Sequence, residues 1–488
     1  MANSKLNEAP DHDEKNWWEQ HRESLGVTFC SMAVHIALLA MLAMIVIPGE
    51  SYDFTNYLTV RTEVIENPAL ETVENLKLTP DKLIDSSTNN SASMDLATNV
   101  LSHQPSPMSV DTEQEELQWE LEAIEYIGSH RKHGDLSGRT EEARSIMLKA
   151  FGGTATSEAA VNSGLKWLKN HQNEDGSWNF NHIHPECGDS CTSPGTLSSN
   201  TVGATSLALL CFVGAGNTHE KGDYQEQVQS GLAFLNQKYL EADVRGDMRG
   251  SSGNSGMYVQ GIATILLCEV YGLTRDRKFR KVAQECVDFI LEAQHPENGG
   301  WRYRLQQPDG DTSVVGWQVM ALTSARMAGL TVPGRAKVRA ERFLDSVQLA
   351  EGAYYGYVRP EKKASTTSIG LLCRMYYGWD ASTPAMKVGV EYLERLGPAN
   401  DNQYFNYYAT QVLHHWGGPK WKKWNNVMRE QLITTQVKTG HAAGSWAPRD
   451  PHSRSGGRLY STCLSILTLE VYYRHLPLYQ RRMTQTEF

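Results

Sequence analysis

From residue 157 onward the chain alternates two kinds of apolar pattern. The first kind carries apolar residues on one helical face: GLKWLKNHQ, GLAFLNQKYL, CVDFILEAQ, AERFLDSVQ, GVEYLERLG and REQLITTQ. It places Trp167, Phe234, Phe289, Phe343, Tyr392 and Leu432 at matching positions. Each is followed by a loop containing Gly, among them DGSW, NGGW and AGSW, and then by a stretch that is apolar nearly all round. These second stretches are VGATSLALLCFVGAG, MYVQGIATILLCEVYG, VVGWQVMALTSARMAG, IGLLCRMYYGW, YYATQVLHHWGG and YSTCLSILTLEVYY. One apolar face marks a surface helix, and apolarity all round marks a buried one. The alternation predicts about six helical hairpins in two concentric layers. Hairpins that close into a ring leave no end to cap, whereas an open solenoid needs polar caps, which the sequence does not supply. The expected fold is all-α, an α/α toroid over 157–480 followed by a short tail at 481–488.

The front of the chain reads differently. Residues 24–49 contain no Asp, Glu, Lys or Arg, and their centre is VTFCSMAVHIALLAMLAMIVI. This is long enough for a helix across a hydrocarbon core of about 30 Å. An acidic stretch at 1–23 precedes it, and Ile-Val-Ile-Pro-Gly ends it, which fits an uncleaved anchor better than a signal peptide. Lys15 and Arg22 in front outweigh Arg61 behind, so the tail at 1–23 is expected in the cytoplasm and the rest of the chain outside the inner membrane. Residues 50–112 show no periodicity and include the run SSTNNSAS, the composition of a flexible tether. Residues 113–156 read as a helical lead-in.

Composition narrows the partners. Charged residues make up 21% and apolar ones 40% of the chain, with a formal net charge of -10. The balance excludes nucleic acid as the main partner, because phosphate binding needs a basic face. Of the eight cysteines, Cys211, Cys268, Cys286, Cys373 and Cys463 lie in apolar helical stretches and read as small buried hydrophobes. Cys187 and Cys191 share a polar loop, HIHPECGDSC, with His182 and His184. Two His and two Cys could hold zinc, but their spacing matches no usual zinc signature. In an oxidising compartment a Cys187–Cys191 disulfide is the simpler expectation, and neither a metal nor a cofactor is expected.

HQNEDGSW and AQHPENGGW resemble the Gln-to-Trp motifs of squalene–hopene cyclases and protein prenyltransferase β-subunits. GDTSVVGWQVMAL, STTSIGLLCRMYYGW, YYATQVLHHWGG and GGRLYSTCLSILTLEVYYRHLPLY resemble membrane-anchored bacterial proteins with prenyltransferase/squalene-oxidase repeats. The resemblance implies a terpene-cyclase-like toroid, with an isoprenoid or other apolar ligand in its cavity. Cyclases of this kind protonate an alkene with an Asp-x-Asp-Asp-Thr motif. Here Asp309-Gly310-Asp311-Thr312 is incomplete, leaving Asp309 and Asp311 as the acid candidates. Asp311 also suits an N-cap, as do the small polar residues that start other inner helices. The Asp-x-Cys zinc ligands of the prenyltransferases are missing, and Ser461 stands where their His is expected. A Gly-Cys-Gly-Glu-Gln thioester stretch is missing too.

The mouth of a toroid lies where its inner helices begin. This brings Tyr258, Trp317, Tyr404, Tyr407, Tyr408 and Tyr460 forward as pocket candidates, with His414 deeper on the fifth inner helix. Such aromatic residues suit an isoprenoid or carbocation, a sugar, or ordinary packing. Three functions remain open: binding and processing of an apolar small molecule, a non-catalytic envelope scaffold presenting the mouth to a protein or polymer, and a polysaccharide-active barrel. A deep dry cavity favours the first, a filled barrel with an aromatic or charged rim the second, and an open groove with facing carboxylates the third.

Overall fold

A computed structural model describes residues 136–475 except 184–186, 188–190 and 251, together with 118, 122, 123, 125 and 126. The expected tail at 1–23, the anchor at 24–49, the tether at 50–112, part of the lead-in and the tail at 481–488 lie outside the described residues.

The short helix α1 (Glu141–Ala150) precedes six hairpins. In each, a one-faced helix leads to an apolar one. The pairs are α2 (Ala155–Lys169) with α3 (Thr201–Gly214), α4 (Gln225–Glu241) with α5 (Gly256–Thr274), and α6 (Arg277–Ala293) with α7 (Thr312–Met327). Then follow α8 (Gly334–Ser346) with α9 (Ala364–Tyr376), α10 (Pro384–Leu396) with α11 (Gln403–Trp416), and α12 (Gly418–Thr435) with α13 (Pro451–Leu469). A final turn, α14 (Val471–Arg474), ends the described chain, and a two-residue strand pair, Gln348–Leu349 with Tyr354–Tyr355, decorates the α8–α9 loop.

The ring closes. The inner helices pack in the cycle α3, α5, α7, α9, α11, α13 and back to α3, and each outer helix packs on the inner helix that precedes it in this cycle. The expected α/α toroid is therefore the fold. Trp167, Phe234, Phe289, Phe343 and Leu432, predicted as equivalent, are buried on successive outer helices. One helix among the described residues, α5 with its leading 3₁₀ turn, is long and apolar enough to cross a membrane, but most of it is buried inside the ring.

The Gln-to-Trp motifs form the joints. Gln172, Gln294 and Gln436 each stand just past an outer helix and donate twice through Nε2. One bond goes to the Gly carbonyl of their own loop: Gly176 at 2.9 Å, Gly299 at 2.8 Å and Gly444 at 2.9 Å. The other goes to a carbonyl of another hairpin's outer helix: Gln227 at 3.0 Å, Ala336 at 3.1 Å and Ala160 at 2.7 Å. The Trp178, Trp301 and Trp446 indoles donate at 2.8 Å to Leu168, Ile290 and Leu432 in the helix just left. Gly176, Gly299 and Gly444 all have positive φ, and a Cβ on any of them would collide with a backbone carbonyl of the adjoining outer helix. The third joint reaches from the sixth hairpin to α2 of the first, so the same device that joins neighbours also closes the ring.

The inner helices run parallel, and their C-terminal ends are sealed. Glu269 of α5 meets Arg139 at 2.8 Å and Arg474 at 3.3 Å, all three buried. Burial alone would raise the Glu269 carboxyl, but the two guanidiniums override it and hold the group below its ordinary value. Burial pushes the neighbouring Glu470 carboxyl well up instead, against the pull of Arg474 and Arg139. A cavity of about 30 Å³ remains beside Glu269, Tyr376, His415 and Arg474, room for about one water.

Candidate functional site

The open end of the ring lies where the inner helices begin. Asp311 caps α7 there, accepting from the Val314 amide at 2.8 Å through Oδ1. The structure thus gives Asp311 the cap role expected of it. Its side chain is 0% exposed, and among the described residues Oδ2 has no hydrogen-bond partner. The Arg302 Nε lies 4.0 Å from Oδ2, while the same guanidinium pairs with Asp309. Burial pushes the Asp311 carboxyl up to about 6, against the pull of the Val314 amide, the Tyr357 hydroxyl and Arg302. Asp309 itself is exposed.

Tyrosines ring this carboxyl. Tyr303 and Tyr357 share a hydroxyl hydrogen bond of 2.7 Å, and Arg302 lies 5.2 Å over the Tyr303 ring. Burial pushes the Tyr258 hydroxyl well up, and the Asp311 carboxyl adds to the effect. Tyr460 is raised by burial first and by Tyr404 next. All five residues, Tyr258, Tyr303, Tyr357, Tyr404 and Tyr460, are partly exposed, though the Tyr404 hydroxyl itself is buried.

Behind this rim the ring is packed. Trp317 stacks on Tyr407 at 5.9 Å, and Tyr408 meets Trp317 edge-on at 5.9 Å, Tyr404 at 5.0 Å and Tyr407 at 5.2 Å. Their exposures are 2% for Trp317, 1% for Tyr407 and 0% for Tyr408. Side chains with so little accessible surface leave almost none to solvent or to a water-sized void.

The structure therefore brings Tyr258, Tyr404, Tyr460 and Asp311 together at the mouth, with Asp309 at its outer edge. It places Trp317, Tyr407 and Tyr408 as the floor. It does not bring His414 to the mouth: this side chain lies at the sealed end, its Nε2 2.8 Å from the His475 carbonyl and its ring 5.2 Å from Phe151. Burial holds His414 down at about 4. Sequence reasoning missed Arg302, Tyr303 and Tyr357. Arg302 and Tyr303 directly follow the NGGW loop, and Tyr357 lies in the α8–α9 loop, so aligning the loops hairpin by hairpin would have exposed them.

A second cluster sits in the wall. Cys187 and Cys191, the expected disulfide pair, are not bonded to each other in this structure. Each faces a histidine that no local pattern linked to it: His171 Nε2 is 3.3 Å from Cys191 Sγ, and His441 Nε2 is 3.0 Å from Cys187 Sγ. His182, expected in that group, is buried with its ring 6.0 Å from that of His171 and contributes no atom to the cluster. His184 lies outside the described residues. Burial raises the Cys191 thiol, and Cys187 beside it adds to the effect.

No family model and no curated protein matches the chain. Among solved structures, it is similar to an α-1,6-mannanase of Salegentibacter sp. HEL1_6, at 10% identity over 65% of this chain and 98% of that one, TM-score 0.47. It is also similar to a glycoside hydrolase family 76 mannosidase of Bacteroides thetaiotaomicron, at 10% identity over 68% and 100%, TM-score 0.47. A type II terpene cyclase from Scytonema, bound to geranylgeranyl dihydroxybenzoate, is similar at 14% identity over 66% and 98%, TM-score 0.45. Likenesses of this strength assign no activity, and the closed ring of helical hairpins rests on the helix contacts themselves.

Proposed function

We infer that this toroid is a binding domain whose working face is the tyrosine rim, and that its ligand is a saccharide held at the mouth rather than a chain drawn down the axis. One observation carries the reading: the partly exposed Tyr258, Tyr303, Tyr357 and Tyr404 gather at the mouth around Asp311 and Arg302, and the floor of Trp317, Tyr407 and Tyr408 behind them is at most 2% exposed. An isoprenoid needs an apolar cavity deep enough to enclose it, and Trp317, Tyr407 and Tyr408 occupy that space. A sugar ring needs less depth. Its C–H face stacks on tyrosine, and its hydroxyls accept from tyrosine hydroxyls and a guanidinium and donate to carboxylates. Arg302 and the exposed Asp309 supply those groups at one edge.

The placement of the two carboxylates favours binding over hydrolysis. Glycoside cleavage asks for an acid and a second carboxylate facing it across the linkage, whereas Asp309 and Asp311 both lie against the same Arg302 guanidinium. With residues 24–49 as an anchor and the ring outside the inner membrane, envelope glycans would be within reach of the mouth.

The test is calorimetric titration of the full-length chain with neutral oligosaccharides and, separately, with a polyprenyl phosphate. Saturable saccharide binding that Tyr258→Ala and Tyr404→Ala each weaken about five- to thirtyfold supports the reading. Tight polyprenyl binding with no saccharide binding would overturn it.

A further inference from the structure

The ring wall contains four metal-ligating side chains from opposite ends of the repeat array. His171 stands just past α2, Cys187 and Cys191 lie in the α2–α3 loop, and His441 lies in the α12–α13 loop. Their ligand atoms all fall within 4.8 Å of one another. In a tetrahedral zinc site with Zn–S of about 2.3 Å and Zn–N of about 2.0–2.1 Å, ligand atoms stand roughly 3.3–3.8 Å apart. The four donors are therefore within small side-chain movements of closing on one ion. Both histidines present Nε2, and the His171–Cys191 separation of 3.3 Å already matches.

The orientation of His171 is set from behind. Its Nδ1 lies 2.7 Å from the Trp167 carbonyl, which can only accept. Nδ1 therefore carries the hydrogen, and the Nε2 lone pair faces the sulfurs, the tautomer that a metal-binding imidazole takes when its other nitrogen is held by a carbonyl. His171, Cys187 and Cys191 are buried, and His441 closes the cluster from the exposed side. Arg458 of α13 ties the same seam. It donates to the Thr192 carbonyl at 2.9 Å and hydroxyl at 2.8 Å, and to the Ser445 hydroxyl at 3.0 Å.

We propose that His171, Cys187, Cys191 and His441 form a tetrahedral zinc site that staples the sixth hairpin to the first. Four protein donors fill the coordination sphere and leave no position for substrate, so the site is structural. It lies at the seam where the ring's two ends meet, which hydrogen bonds such as that of Gln436 to Ala160 otherwise hold. Metal binding there adds directly to the stability of the closed ring.

The test begins with elemental analysis of the full-length chain, purified without chelator and in mild reductant. About one zinc per chain is expected. Cobalt(II) in its place should give the absorption of a tetrahedral ion with a thiolate charge-transfer band. His441→Ala changes an exposed loop residue, so its fold should survive. It should lose at least about tenfold in zinc affinity and alter the cobalt spectrum, whereas Cys187→Ser should also weaken the thiolate band. A reduced chain that takes up no zinc on reconstitution would overturn the proposal. So would a Cys187–Cys191 disulfide in the zinc-free protein as isolated, or zinc retained equally in both variants.

Discussion

Tyr404 and Tyr408 stand one helical turn apart on α11 with ring centroids 5.0 Å apart, and the solvent boundary of the ring runs between them. Tyr404 is partly exposed at the rim, and Tyr408 is sealed in the floor. The two positions should therefore answer differently to the same substitution. Tyr404→Ala should cost about 1–2 kcal/mol of ligand affinity, five- to thirtyfold in Kd, with a small change in stability. Tyr408→Ala should cost about 3–5 kcal/mol of folding stability, as truncated core aromatics do. Denaturant melts and titrations of both variants check the split.

Asp311 makes stability depend on pH. Its carboxyl is raised from 3.8 to about 6 in the folded chain, chiefly by burial. Between those values the folded state holds a proton that the unfolded state has released. The contribution, roughly 2–3 kcal/mol, is complete below about pH 4 and lost as pH rises through about 6. Asp311→Asn keeps an N-cap acceptor for Val314 and has no carboxyl to ionise. Its melting temperature should change less between pH 4 and 7 than that of the wild type, and at pH 7 it should equal or exceed it.

Gly444 tests the ring closure. At φ 91° it packs against the Ser163 carbonyl of α2. Gly444→Ala should cost about 2–4 kcal/mol through backbone strain and the displaced joint. Gly440, also at positive φ but with open space around it, should cost less on the same change. Equal melting temperatures for the two variants would show that the joint contributes nothing beyond local strain.

The sealed end should be intolerant of losing its charge. Glu269→Gln leaves the Arg139 and Arg474 guanidiniums buried without their counter-charge. A loss of about 3–5 kcal/mol is expected, as when one partner of a buried ion pair is removed. Chemical denaturation measures it.

The architecture was legible because it repeats. One-faced and all-round apolar stretches alternate through the chain, and Gln172, Gln294 and Gln436 mark equivalent joints, so periodicity alone located the layers. Helix starts were less legible. Ser461–Thr462 reads as the start of the last inner helix, yet α13 begins at Pro451 under an Asp450 cap and kinks at Gly457, where Gly195 of the first hairpin crosses. The mouth was half legible. Tyr258, Tyr404 and Asp311 lie at helix starts, where fold logic can find them. Arg302, Tyr303 and Tyr357 lie in loops whose placement depends on the ring as a whole. The cysteine cluster shows the same limit. His171 and His441 are 270 residues apart in sequence, and only ring closure brings them to Cys187 and Cys191.

The most direct test of rim binding sets rim and floor variants against both probes in one calorimetric series. Wild type and Trp317→Phe should bind a neutral oligosaccharide with similar affinity, Tyr258→Ala and Tyr404→Ala should bind it about five- to thirtyfold more weakly, and none should bind a polyprenyl phosphate. Polyprenyl binding that survives in the rim variants and falls in Trp317→Phe would contradict it, placing the ligand along the axis instead.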